Sequence, residues 1–526
     1  MATTLVTLDL RDCKLHAEGG ALVIQGLMHK TKSLQRQIKE LWQQIGQGSN
    51  ENLATRQDLD RRVEEKEKEF RTYIMTRSLN SLLVARNALG PNGVSAFGEA
   101  RNLYPSLTEL DMGSNEMTGN HFNSTFDSVH ALSKSIRSSR LMKVLNLTDN
   151  RLGTTASLFT GPDVQPALSE MSAALCKMTG IIWLDLSHNQ IGASGVKVIA
   201  SALDVLRKLE HLNLASNAIS TDGMKLLVAS FHPALVDLNL ADNDIGPDGI
   251  GALAQRVKDN AVPNLTRVDL SKNRMTQALH APRLSEGIGK AKFLLSGVSK
   301  QLVAGGGLGE ARKQLLMAGD DSTKRGLALF ASACAEHLLQ LKEIVIHKNI
   351  QVGVIRNAHP SLDLSGIDFQ VQDITMVSEM LRYNKSVTSV NFSRNDLNEG
   401  GYAISEWMQQ ATQLQSLDLS HVKLGDTGLA KIAVGLTPLI FLTNLMIPNN
   451  NIGENGIKFL SPALKALGSL QILDLSHNPL TLRHVGHVSG ENYYSEGVRG
   501  FATSLATCVK LHELDLSHCT LGDEGA

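Results

Sequence analysis

Apolar residues recur along this chain in one fixed arrangement, L-x-x-L-x-L-x-x-N-x-L, with polar residues at most of the positions between. The clearest copies open at Leu414, Leu442 and Leu470, so the step is 28 residues both times. Within each copy the alternation x-L-x-L is that of a strand buried on one side. After the Asn the pattern changes to that of a helix, as in the apolar run that follows Gly192 and Gly195. Each copy therefore predicts a short strand, a tight turn and a returning helix. One such unit cannot bury its own apolar face, but stacked units bury it for one another, which is the logic of a solenoid.

Further copies open at Leu5, Leu79, Leu107, Met142, Ile181, Leu209, Leu235 and Leu265, with Cys13, Asn87, Asn115, Asn150, Asn189, Asn217, Asn243 and Asn273 at the turn. After a gap of 76 residues the pattern resumes at Leu341, passes a degenerate copy near His359 with Ile367 at the Asn position, and becomes regular at Val387 with Asn395. Asn450, Asn478 and Cys519 hold the turn in later copies, whereas Val422 stands there in the copy at Leu414. Long steps locate insertions at about 120–133, 154–166, 276–325 and 483–494. The expected organisation is a first repeat at 1–29, a helical hairpin at 30–77, repeats at 78–275, a mostly helical insertion and returning helix at 276–340, and repeats again at 341–526, the last incomplete.

The hairpin is read from a different periodicity. Leu34, Ile38, Leu41 and Ile45 follow at steps of 4, 3 and 4, the spacing of an a/d seam. Gly46 to Asn50 breaks that helix, and a second places Leu59, Val63, Phe70 and Ile74 on one side against a densely charged face. The hairpin reads either as a solvated helix pair or, because two short seams make a thin core by themselves, as a dock for a partner helix.

A full helix in every copy, Gly-x-x-Gly after the turn and the 28-residue step resemble the ribonuclease-inhibitor type of leucine-rich repeat. That group includes the repeat domains of NOD-like receptors, the activator of the Ran GTPase, tropomodulin and a ciliary dynein-regulatory subunit. The resemblance implies an α/β fold: a leucine-rich-repeat solenoid, or horseshoe, with a parallel concave sheet and convex helices, here with the projecting hairpin added. It covers nearly all of the chain outside the hairpin and insertions. It is specific for fold and weak for function, because a fold does not fix an activity.

Composition narrows the functional classes. A formal net charge of -1 argues against a general nucleic-acid binder. No apolar run is long enough to span a membrane, and Met1 to Thr4 leads straight into a repeat strand, so no leader is expected. Five cysteines without paired spacing point to a reduced, cytoplasmic protein. His188, His421, His477 and His518 recur at one turn position, with His484 and His487 nearby, but no carboxylate or Cys completes a metal-ligand spacing. Gly287 to Lys290 lacks both the upstream Gly and the Ser or Thr of a phosphate-binding loop, and Gly305 to Gly309 follows no strand. No catalytic residues, cofactor or small-molecule substrate are expected.

Of fifteen residues expected on the concave sheet between the last two leucines of each copy, twelve are Asp or Asn. They read either as an acidic stripe for a basic partner or as the way this repeat is written. The exceptions carry more information. Trp183 is placed beside Val144 on that sheet, and Met446 with Ile472 forms a second apolar pair. Exposed aromatics anchor interface hot spots, although the 154–166 insertion offers an alternative cover for Trp183. The expected function is a non-enzymatic scaffold that binds other proteins through the concave face, hairpin and insertions inside a multi-subunit complex, cytoskeletal or ciliary by analogy. Activation of a small GTPase is the alternative, with Arg11 and Arg86 as the candidate arginines; a recognition module of an innate-immune or effector protein is a third. Because the chain stops mid-repeat at Ala526, it is expected either to continue or to have its ends covered by partners.

Overall fold

Each L-x-x-L-x-L copy forms a strand of three residues centred on its second leucine or that residue's equivalent. The computed structural model describes residues 6–47, 53–75, 79–100, 106–119, 126–153, 166–274, 321–397, 401–480 and 496–521. The chain forms two compact units, Met1–Asn243 and Asp244–Ala526.

In the first unit seven strands lie side by side in chain order, all parallel: β1 (Thr7–Asp9), β2 (Ser81–Leu83), β3 (Glu109–Asp111), β4 (Val144–Asn146), β5 (Trp183–Asp185), β6 (His211–Asn213) and β7 (Asp237–Asn239). Leucine faces leucine across every pair, from Leu8 and Leu82 through to Leu212 and Leu238. A slip of one residue would turn that apolar row to water, which fixes the register. Between strands run α1 (His16–Gln47), α2 (Leu53–Met75), α3 (Gly90–Glu99), α4 (Asp127–Ile136), α5 (Pro166–Leu175), α6 (Gly192–Val205) and α7 (Ser220–Leu227). From α3 to α6 each packs on its sequential neighbour. The core lies between this helical layer and the sheet, with Leu110, Leu145, Leu184 and Leu238 fully buried.

The turn between strand and helix is conformationally costly. The residues on either side of the turn Asn take positive φ in repeat after repeat, as His188 (55°) and Gln190 (57°) do around Asn189. A left-handed residue other than Gly costs on the order of 1–2 kcal/mol. The Asn side chain offsets this with hydrogen bonds. Asn189 Oδ1 accepts from the backbone N–H of Asn150 at 3.1 Å and of Leu152 at 3.2 Å in the preceding repeat. Its Nδ2 donates to the carbonyls of Leu147, Leu186 and Ser187 at 2.8–3.0 Å. Asn87, Asn115, Asn150, Asn217, Asn243, Asn395, Asn450 and Asn478 are likewise buried and donate from Nδ2 to backbone carbonyls of their own and the preceding repeat. Asn273 accepts from Ile245 N–H and donates to Leu270 O. Cys519 is buried, and its thiol donates to Leu475 O at 3.1 Å in place of an amide. Cys13 is exposed instead, because β1 has no earlier strand to cover it among the described residues.

The helix that returns from the first repeat does not end there. It continues as one 32-residue helix, α1, and forms the first arm of the hairpin with α2. Leu41, Leu59 and Val63 form a buried cluster with Ile45 against it. The side chains of Phe70 and Ile74 lie outside the described residues.

The second unit holds α8 (Pro247–Lys258), α9 (Asp321–His337), α10 (Val352–Asn357), α11 (Val371–Leu381), α12 (Gly401–Met408), α13 (Gly425–Leu436), α14 (Glu454–Leu464) and α15 (Glu496–Leu505). Strand β8 (Arg267–Asp269) pairs in parallel with β9 (Glu343–Val345), although more than seventy residues separate them. The second of these repeats is held in place by α9 packing on α8. A Cβ on Gly326 would lie 1.9 Å from the Pro247 carbonyl oxygen, so only glycine allows that approach.

A single parallel sheet through 341–526 is not what forms. Strand β10 (Asn349–Gln351) folds back antiparallel on β9, and a separate parallel sheet begins at β11 (Ser361–Asp363). It continues through β12 (Ser389–Asn391), β13 (Ser416–Asp418), β14 (Asn444–Met446), β15 (Ile472–Asp474) and β16 (Glu513–Asp515). Ile367 has no amide to continue the ladder. The fully buried carboxylate of Asp373 serves instead, accepting from the N–H groups of His347, Lys348 and Gln370 at 2.9–3.1 Å.

Two stability predictions follow from these contacts. Asn189→Ala strands two buried N–H groups of the preceding repeat, each worth about 1–3 kcal/mol. Urea unfolding should show a loss of about 3 kcal/mol; a loss below about 1 kcal/mol would mean that the ladder carries little weight. Leu41→Ala removes the centre of the hairpin cluster, a class of change that costs about 2–5 kcal/mol. Amide exchange across α1 and α2 should accelerate in that variant and stay unchanged in Trp42→Ala, whose side chain is exposed.

Candidate functional site

Residues i and i+2 of a strand share one face, so every strand presents two residues around its buried leucine. In the first unit the leading residues align across the strands as Ser81, Glu109, Val144, Trp183, His211 and Asp237. Trp183 stands directly between Val144 and His211, and all three are half-buried. The residues that offered an alternative cover, 154–165, lie outside those described.

The following residues align as Leu83, Asp111, Asn146, Asp185, Asn213 and Asn239. All twelve Asp and Asn residues of this row in the whole chain accept from the backbone N–H two residues on, at 2.8–3.1 Å. An Asx turn of this kind is satisfied by either side chain, since only an acceptor oxygen is needed. The abundance of Asp and Asn there thus has a local structural cause, and Leu83, Val345 and Met446 are the repeats that do without it. Asp185 is fully engaged: Oδ1 accepts from the Ser187 N–H and hydroxyl, and Oδ2 accepts from Asn213 Nδ2 at 2.8 Å. Asp111 is different, because burial pushes its carboxyl up from the ordinary range while the charges of Arg11 and Arg86 pull the other way.

The two arginines considered for GTPase activation have unlike surroundings. Arg11 is held by Asp9 at 2.7 Å, and the same hydrogen bonds lower the Asp9 carboxyl to about 2. Arg86 occupies an exposed left-handed turn at φ 58°.

Met446 and Ile472 do not lie side by side. Met446 is in register with Asp418 and Asp474, and Ile472 with Asn444 and Glu513, so the two meet only diagonally. On the hairpin, Leu34 and Leu41 are buried within the protein and offer nothing to a partner; Ile38 and Ile45 are half-buried. The exposed group is Trp42, 51% accessible, four residues after Ile38 and three before Ile45. Its signal in the sequence was an aromatic one step off the seam. Ile440 and Phe441 were also missed. They are more than half exposed where the chain enters β14, a place held by Thr412 and Gln413 in the preceding repeat.

His477 and His518 stack with ring centroids 4.4 Å apart, and His421 Nδ1 lies 2.9 Å from Asn449 Nδ2. Among the described residues no group of three or more His, Cys, Asp or Glu is placed to hold a metal ion, and no helix is long and apolar enough to cross a membrane. His484, His487 and the glycine clusters at 287–290 and 305–309 lie outside the described residues.

Six segments of the chain, 2–23, 184–200, 205–228, 232–254, 410–433 and 507–526, match a family model described as Leucine Rich repeat, and 469–489 matches a second of the same description. The mouse NACHT, LRR and PYD domains-containing protein 12 is 24% identical over 370 residues, covering 69% of this chain and 30% of that protein. The chain thus spans less than a third of that relative's length. The pig ribonuclease inhibitor is 23% identical over 396 residues, covering 68% of this chain and 81% of the inhibitor. Among solved structures, the leucine-rich repeat-containing protein LegL7 from Legionella pneumophila is 17% identical, with 69% of this chain and 90% of that one covered and a TM-score of 0.31. Leucine-rich repeat proteins are in general protein-interaction modules, and this chain is a leucine-rich-repeat protein of the ribonuclease-inhibitor type.

Proposed function

We propose that the chain is a protein-docking scaffold whose first unit receives a partner protein on the sheet around Trp183 and Val144. One observation carries this reading. A half-buried indole sits on a sheet row whose other members are short, polar or charged, Val144 excepted. Trp is the residue most often found at the centre of binding hot spots, since one side chain buries about 150–250 Å². The exposed Trp42 beside Ile38 and Ile45 is a second contact of the same chemistry on the hairpin. Two separate anchors suit a scaffold that holds two proteins in one multi-subunit complex. The reading calls for no cofactor, nucleic acid, membrane or small-molecule substrate. It is supported by a relative whose name describes it as an inhibitor of another protein, a ribonuclease. Activation of a small GTPase is the weaker reading, since the Arg11 guanidinium is already engaged by Asp9.

The test is quantitative affinity capture from cell extract with the intact chain, Trp183→Ala and Trp42→Ala, each checked for an unchanged melting profile. Loss of the central anchor costs about 2 kcal/mol, roughly thirtyfold in affinity. A defined set of proteins should therefore be depleted with Trp183→Ala, and a different set with Trp42→Ala. Equal recovery by all three proteins would show that neither tryptophan is a docking anchor.

A further inference from the structure

One buried position of the first unit holds a group that can change its charge. His232 follows the 3-10 turn Val228–Ser230 on the way into β7, and its side chain is only 4% accessible. The same position, three residues before the first apolar residue of a copy, holds Met178, Leu206, Leu338, Leu439 and Leu467 in other repeats, all of them buried. An imidazole thus stands where the solenoid elsewhere places an aliphatic side chain.

Its two nitrogens are in unlike situations. One ring N–H donates to the carbonyl of Leu206, the residue that ends α6. Nδ1 is buried and has no hydrogen-bond partner among the described residues. A neutral ring with its proton on Nε2 fits this arrangement. A charged ring carries a second N–H at Nδ1, with nothing there to receive it. Other polar residues at the position behave differently. Asn384 uses both ends of its amide, donating to the Ile355 and Ala358 carbonyls and accepting from the Ser386 and Val387 N–H groups, at 2.8–3.1 Å. Ser139 carries no charge, and burial pushes the Cys508 thiol up, so it too stays neutral. His232 is the one whose ordinary range lies between pH 5 and 8.

The charges that act on the ring come from Asp204 and Arg207 at the end of α6, and those two are 3.0 Å apart in an ion pair of their own. The turn itself, 226–236, contains no Lys, Arg, Asp or Glu. Burial lowers the imidazole from its ordinary 6.5, and the Arg207 guanidinium adds to that; the bond to Leu206 and the charge of Asp204 act the other way.

We propose that the contact of His232 with Leu206 is an acid-sensitive joint between the repeats of β6 and β7, in which a proton on the buried ring releases the 228–235 turn from the end of α6. Above about pH 6.5 the ring is neutral whether the turn is closed or open, and the joint has its full stability. Below that the opened ring takes up a proton that the closed ring resists, so stability falls as the pH falls. One proton of difference amounts to at most about a tenfold loss per pH unit.

The experiment is hydrogen exchange on the full chain at about pH 7.5 and about pH 5.5, corrected for the intrinsic pH dependence of exchange and read on amides of 203–236. Protection in the natural chain should fall several-fold at the lower pH, with about tenfold as the limit. His232→Gln keeps an N–H that can reach the Leu206 carbonyl and cannot be charged, so its protection should be the same at both. His232→Leu, the residue of neighbouring repeats, is a second uncharged variant and should be equally insensitive, whether or not the glutamine is accommodated. No loss of protection in the natural chain would overturn the proposal. So would an equal loss in the uncharged variants, which would assign the effect to other groups.

Discussion

Everything in both units hangs on one amide. At most of the turns the backbone passes through two left-handed residues, such as His188 and Gln190, and leaves N–H and C=O groups pointing inward. Unpaired, those groups would be expensive to bury. The Asn between them has donor and acceptor on one short side chain, so it closes its own turn and reaches the repeat before it. Stacking therefore supplies more than apolar contact: each repeat completes its neighbour's hydrogen bonding. Where Cys519 replaces Asn, its thiol keeps one donor bond; where Val422 stands, the apolar packing continues without the amide.

A second recurring bond governs what the surface can say. The Asx turn takes up one acceptor of every Asp or Asn in its row, which makes acidity there a poor guide to binding. The row on the other side of the buried leucine has no such duty. Side chains there are as different as Ser81, Glu109, Trp183, His211 and Asp237. A repeat fold with fixed leucines, amides and turn acceptors leaves few positions at which chemistry can vary, and this row is the one that does.

Irregular segments are absorbed by substituting one satisfied polar group for another. At β9 the chain makes an antiparallel hairpin where a turn was due, and Asn349 joins a strand. Asp373 then takes the inward N–H groups of His347 and Lys348, and the repeats restart at β11. A buried carboxylate is tolerable there because three backbone donors and the nearby imidazole of His347 meet it. In the first unit, α1 runs on through the end of its repeat and finds α2, so that Leu41 and Leu34 are buried inside the molecule and Trp42 is left outside.

The sequence alone determined the strand positions, the leucine register and the Asn ladder, because each depends on contacts that repeat every 28 residues or so and so appear as a period. Trp183 and Val144 were legible for the same reason: a residue out of keeping with a periodic row stands out. The tertiary structure decided what no period encodes. It showed which member of the hairpin seam is buried and which exposed, since a helix has two possible neighbours and only packing selects one. It showed that Met446 and Ile472 meet diagonally, because strand register and not sequence order sets adjacency. It separated the acids that serve the turns from Asp237, whose carboxylate lies 3.8 Å from His211 Nδ1 on the neighbouring strand, because a carboxylate is read by the groups that meet it.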